Sequence, residues 1–222
     1  MKPSRFCSMS PTRHNLSRRG ARSVLFSSAA LTALLASGCQ GGEAPTPVQT
    51  VTAVSAPTPT AATGPSYKQA SANGKALNVP VPVMPPIAKQ NSKQGLEAFT
   101  KYWYSTYTYA VQTGDLKLWL ESQDLPKDQA IDYQKAMDRN FAKGRWTVGG
   151  RALVQAVDVK WVKQPVEPQQ VFVRVNEEAI SYYAAPSKTW QASIPATKQT
   201  EVLLTTFVDG QWRINAHGIV SG

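Results

Sequence analysis

Nine prolines and a single aromatic residue between Gln40 and Lys89 confine any hydrophobic core to the residues that follow. Pro45, Pro47, Pro57, Pro59, Pro65, Pro80, Pro82, Pro85 and Pro86 stand among Thr, Ala, Val, Ser and Gln, with Tyr67 the lone ring. A segment of this kind cannot bury enough apolar surface to offset the entropy lost on ordering it. It reads as a tether, spanning roughly 40 Å as a flexible coil or about 150 Å as extended polyproline. Its end, Leu77 to Ile87, is more apolar and suited to lying along a folded domain. The expected division is a leader over 1–38, a tether over 39–88 and a folded domain over 89–222.

The leader reads as an export address. Residues 1–23 are basic and polar, and Val24 to Ala36 form an apolar run too short to span a bilayer. Ala36-Ser37-Gly38-Cys39 resembles a bacterial lipobox, with Ala36 where such boxes carry Leu and Leu35 one place earlier. The resemblance implies that Cys39 is lipidated and becomes the first residue of the exported chain. One acyl chain holds a protein to a membrane only marginally, at about 0.8 kcal/mol per buried methylene, and two hold it stably. An ordinary signal peptide with an unmodified Cys39 is the competing reading. Arg18-Arg19 leaves the export route open between general secretion and a twin-arginine system.

The leader also explains the charge. The chain carries 24 Lys+Arg against 14 Asp+Glu, a net +10, but residues 1–38 hold six of the bases and no acid. What remains is an ordinary soluble surface, which removes the charge argument for nucleic-acid binding. With Cys7 gone and Cys39 blocked by lipid, no thiol chemistry is left, and His217 is the only imidazole after the leader. No metal site or cofactor is expected.

Beyond Lys89 the periodicity changes once. Ser92 opens a helix on which Leu96, Phe99, Trp103 and Ala110 recur at helical spacing, and Thr113-Gly114-Asp115 ends it. Asp115 is placed to cap a short second helix, Leu116 to Leu120. A third, starting near Asp124 or Pro126, carries Ala130, Tyr133, Met137 and Phe141 on one face and stops at Gly144. After that the pattern alternates: 145–148, 153–162, 170–175, 180–184, 201–208 and 211–220 read as strands. Gly149-Gly150 reads as a bulge or turn, and Asp209-Gly210 as a tight hairpin. Leu153, Val157, Val159 and Trp161 are assigned to one face. Helices first and antiparallel strands after give an α+β fold, N-terminal helices packed on a curved antiparallel sheet.

That order is similar to the nuclear-transport-factor-2-like cone: an aromatic first helix, the Gly114-Asp115 turn, then a long sheet closed by Phe207-Val208-Asp209-Gly210-Gln211-Trp212. A narrower likeness rests on Asn78-Val79-Pro80-Val81-Pro82, Gly95-Leu96-Glu97-Ala98-Phe99, Tyr109-Ala110, Thr113-Gly114-Asp115, Gly144-Arg145-Trp146 and Val148-Gly149-Gly150, in one order. Together these resemble an actinobacterial lipoprotein domain family of unknown function, over residues 77–222. That family often carries a close cysteine pair after the second helix, whereas Glu121 to Asp132 holds none here. The likeness implies fold and a cell-surface location and brings no catalytic residues. Domains of the cone shape pair through their sheets, so a homodimer is among the implied options.

Cone folds sometimes house catalysis, and an isomerase- or dehydratase-type site would need a carboxylate base with a tyrosine as oxyanion donor. Asp158 as base, Tyr102 or Tyr109 as donor and His217 are the only candidates, and each has a plainer reading. The tyrosines recur at core spacing, Asp158 is placed to face solvent beside Lys160, and His217 sits on an edge strand at the surface. Trp146, Tyr182, Tyr183, Trp190 and Trp212 are aromatic enough to suggest a stacking surface for cell-wall glycan. No nucleophile elbow, phosphate loop or zinc-protease motif is present in the sequence. The preferred expectation is a lipid-anchored, non-catalytic module at the outer face of the cell membrane, binding a small apolar ligand or a protein. The deciding question is whether Trp103, Trp119 and Phe141 fill its interior.

Overall fold

A computed structural model describes residues 65–163 and 165–220. The leader, Cys39 and the first part of the tether lie outside the described residues. Three helices come first: α1 (Lys93–Thr113), α2 (Lys117–Glu121) and α3 (Lys127–Phe141). Seven strands follow: β1 (Trp146–Gly149), β2 (Ala152–Lys160), β3 (Gln169–Glu177), β4 (Ile180–Ala185), β5 (Lys188–Ile194), β6 (Thr197–Val208) and β7 (Gln211–Ile219). All strand pairs are antiparallel. The α+β class expected from the periodicity is the class observed.

The helix boundaries follow from their caps. Ser92 Oγ accepts the Gly95 amide at 3.0 Å, and Gly114 closes α1 in the left-handed region at φ 86°. Asp115 Oδ1 accepts the Lys117 amide at 2.9 Å from one residue before the N-cap position of α2, which Leu116 occupies. One face of α1 is sealed, with Leu96, Phe99, Trp103 and Ala110 each at 0% exposure. Burying an aromatic of that size contributes roughly 5 kcal/mol of gross transfer energy. Thr100 and Thr106 lie buried beside them and return their hydroxyls to the carbonyls of Leu96 and Trp103.

The strands form two leaves rather than one sheet. One has the order β2-β3-β6-β7 and the other β1-β4-β5. The crease is Gly149-Gly150, both at positive φ. On one side Gly149 pairs with Ile180, and on the other Ala152 pairs with Glu177. A Cβ on Gly149 would stand 2.0 Å from the Ala179 carbonyl oxygen, which explains why glycine is required there. Residues 180–184 therefore do not extend the β2–β3 pairing; they leave it and join β1.

Two strand assignments need correcting. Strand β5 escaped the sequence reading because its residues are mostly polar and exposed. In β2 the register slips between Val154 and Ala156, making Gln155 an extra residue. Such a bulge inverts the alternation, so Val159 is buried while Leu153, expected on the same face, is 42% exposed.

The folded unit starts at Pro65, not at Lys89. Residues 65–88, expected in the tether, are held by side chains and backbone of the domain. Trp146 Nε1 donates to the Ser71 carbonyl at 2.8 Å, the Ser187 amide donates to Ala72 O at 2.7 Å, and Tyr67 Oη donates to Gln112 Oε1 at 2.6 Å.

Candidate functional site

Large aromatic rings pack between the helices and the sheet. Trp103 and Trp119 are fully buried with ring centroids 5.9 Å apart, and Tyr133 meets Trp119 edge-on. A candidate ligand site lies on another side of α1, toward β2 and the strap.

There a groove of about 770 Å³ runs between α1, the start of β2 and the strap Val79–Pro82. Helix α1 supplies Lys101, Tyr104, Ser105, Thr108, Tyr109 and Gln112, a stripe at spacings of three and four. The opposite wall is Ala152–Gln155, where the bulge turns Leu153 outward, and Tyr67 lies at the Gln112 end.

Most polar groups of the groove are already paired. Gln112 accepts from Tyr67 and donates to Thr108 O at 3.2 Å. Thr108 Oγ1 accepts the Ala152 amide at 3.1 Å, and Gln155 Nε2 caps Leu153 O at 3.0 Å. Ser105 donates to the Tyr102 carbonyl at 2.6 Å. Arg151 holds Glu178 through two hydrogen bonds, at 2.9 and 2.5 Å, and keeps its carboxyl below the usual range. Among the described residues, Lys101 Nζ and the Tyr109 hydroxyl have no protein partner.

Behind the groove floor lies a buried acid pair. Tyr104 Oη donates to Glu201 Oε2 at 2.7 Å, and Gln199 Nε2 donates to Glu201 Oε1 at 2.7 Å. Thr197 Oγ1 donates to Glu177 Oε2 at 3.1 Å. Burial, and then the charge of Glu201, push Glu177 up to about 7. Burial raises Glu201 as well, against the hydrogen bonds from Tyr104 and Gln199, and raises Tyr104 well above its ordinary value. Glu201 is 3% and Glu177 7% exposed, so as they stand no bound molecule reaches them. The sequence reading passed over both. Their signal was parity: Glu177 continues the inward positions Val171, Val173 and Val175, and Glu201 precedes Leu203 and Thr205 on the inward side of β6.

The sequence candidates are not brought together. Asp158 is exposed and pairs with Lys160 at 2.6 Å, which removes it as a base in an apolar pocket. Tyr102 is buried, its hydroxyl raised by burial and by Glu121. Tyr109 alone of the candidates lines the groove. His217 corrects the expectation of a surface residue. It pairs with Leu203 on the inner side of β7, its ring centroid 5.7 Å from that of Trp103, with both nitrogens shut from solvent and unpartnered. Burial pulls its pKa down to about 4. Of the proposed stacking surface, Trp146, Tyr182 and Trp212 are buried, Tyr183 stacks on Trp146, and Trp190 lies under Arg145.

A family model described as a family of unknown function (DUF6318) matches residues 65–218, and the chain belongs to that family. The matched span begins where the folded unit begins. No curated protein matches the chain. Among solved structures, the intermembrane space region of the chloroplast protein ARC6 is similar at 12% identity and a TM-score of 0.43, covering 60% of this chain and 99% of that one. An uncharacterized protein with a cystatin-like fold from Caulobacter vibrioides is similar at 14% identity and a TM-score of 0.37, covering 58% and 91%. The architecture rests on the strand register given above. No helix among the described residues is long and apolar enough to cross a membrane.

Proposed function

We propose that this member of the DUF6318 family is an exported, non-catalytic ligand-binding module, anchored to the outer face of the cell membrane through lipid on Cys39. In this reading the domain is a variant of the nuclear-transport-factor-2-like cone that binds in the groove beside α1 rather than between Trp103, Trp119 and the sheet. The observation that supports it is the groove itself. At about 770 Å³ it falls in the size range of small-molecule sites, its walls are largely apolar and aromatic, and few polar groups remain to fix an occupant. The anchor is supported by the leader, the short apolar run and Cys39 in its small-residue setting.

Two measurements test this. Cys39→Ala should move the protein from the membrane fraction to the medium; retention in the membrane would refute the anchor. A fragment library should shift amide resonances around Lys101, Tyr109 and Leu153 in the purified protein. A library that moves none of them would refute the binding role.

A further inference from the structure

We infer that the groove takes a single-chain fatty acid, with its carboxylate at Lys101 and its acyl chain along α1 toward Tyr67. This rests on the ligand-binding reading above and names the ligand class.

The shape argues for a linear occupant. The stripe from Lys101 to Gln112 rises about 16 Å along the helix, the length of an extended acyl chain of roughly 14 carbons. The walls beside it are Val79, Val81, Leu153 and Val154, with the ring of Tyr109.

The charges give the orientation. The groove is lined by two cations, Lys101 and Arg151, and by no carboxylate. Arg151 is held by Glu178 through both hydrogen bonds. Lys101, at the other end of the stripe, has no counter-ion among the described residues. Tyr109 adds one further free hydroxyl. A ligand with a single anionic, hydrogen-bond-accepting head and an apolar tail matches that distribution.

An added peptide strand does not match it. The β2 edge facing the groove has its Ala152 amide taken by Thr108 and its Leu153 carbonyl taken by Gln155. On the other side Pro80 and Pro82 have no amide proton to give. An extended peptide would find apolar contact but little backbone ladder.

The test uses the chain from position 39 onward with Cys39→Ser, titrated with tetradecanoate and tetradecanol by calorimetry and amide resonances. Tetradecanoate is expected to bind once per chain and to move the amides of Lys101, Tyr109 and Leu153. Lys101→Met should weaken it roughly tenfold, as expected for loss of a charged hydrogen bond, and Lys101→Arg should restore it. Tetradecanol should bind no better to the unsubstituted groove than tetradecanoate binds to Lys101→Met. Equal binding of acid and alcohol, or indifference to Lys101→Met, overturns the inference. So does a groove that shifts with the fragment library and not with tetradecanoate, an outcome that leaves the binding role standing. A groove silent to both overturns the inference and the binding role together.

Discussion

Tyr104 on α1 and Glu201 on β6 are joined by a 2.7 Å hydrogen bond inside the domain, with neither side chain more than 3% exposed. The bond ties the helix that forms the groove to the sheet that carries it. Tyr104→Phe leaves one oxygen of a buried carboxyl without its donor, which should cost about 2 kcal/mol. Urea unfolding of Tyr104→Phe, Glu201→Gln and the double variant checks this, with a coupling energy of about 1–3 kcal/mol expected. An unchanged midpoint for Tyr104→Phe would show that the bond contributes no net stability.

The pH dependence of stability should be partly cancelled, because buried carboxyls and a buried imidazole oppose each other. Glu177 is raised from 4.5 to about 7 in the fold. The folded state therefore holds more protons than the unfolded state between those values, and stability falls as pH rises through that window. Glu201, also raised, acts in the same sense. His217 is lowered from 6.5 to about 4, so the unfolded state binds the extra proton and stability falls as pH drops through its window. Each effect has a ceiling on the order of 3 kcal/mol. Glu177→Gln should tilt the profile toward a stability that rises from pH 4 to 6.5 relative to the parent, with Glu201 alone left to oppose His217. His217→Phe should expose one that falls from pH 4.5 to 7. Parallel profiles for all three proteins would refute the opposition.

The crease at Gly149-Gly150 is expected to be the most sensitive backbone site. An alanine at 149 meets the Ala179 carbonyl at 2.0 Å in a backbone conformation unfavourable to side chains. Gly149→Ala should cost about 3 kcal/mol or more. Gly74, with no atom near its missing Cβ, serves as the control. Gly74→Ala should stay within about 0.5 kcal/mol. Thermal unfolding of the pair reads the difference.

The elements legible in the sequence were those with one dominant local signal. Helix α1 was bounded by Ser92 and Gly114, and the β6–β7 turn by Asp209-Gly210, because caps and tight turns depend on neighbouring residues alone. Leu153 was misplaced because the bulge at Gln155 is set by the partner strand β3, which the local pattern of β2 does not reveal. His217 was assigned to the surface because a lone polar residue two places before the Ile219-Val220 end of an edge strand looks exposed until Trp103 is packed against it. The groove was unreadable for a similar reason. Its walls come from α1, β2 and the strap, and only folding brings Lys101, Leu153 and Val81 to one place.

The strap supplies the last prediction. A composition rich in proline marked residues 65–88 as tether, yet donors of the domain find their acceptors in that backbone. Trp146, 6% exposed, gives its indole proton to Ser71 O, and the Ser187 amide finds Ala72 O. Lys68 and Leu77 bridge the segment into a small hairpin that presents these carbonyls, and Pro80 and Pro82 extend it past the groove. A chain beginning at Lys89 would uncover the Trp146 indole and lose its Ser71 acceptor, leave the Ser187 amide open and lose one wall of the groove. Relative to a chain beginning at Pro65 it should unfold at lower urea, with a loss of about 2–4 kcal/mol. Its Trp146 indole proton should also exchange faster with solvent. Equal midpoints and equal exchange would mean that the strap rests on the domain without supporting it, and that the folded unit starts at Lys89 after all.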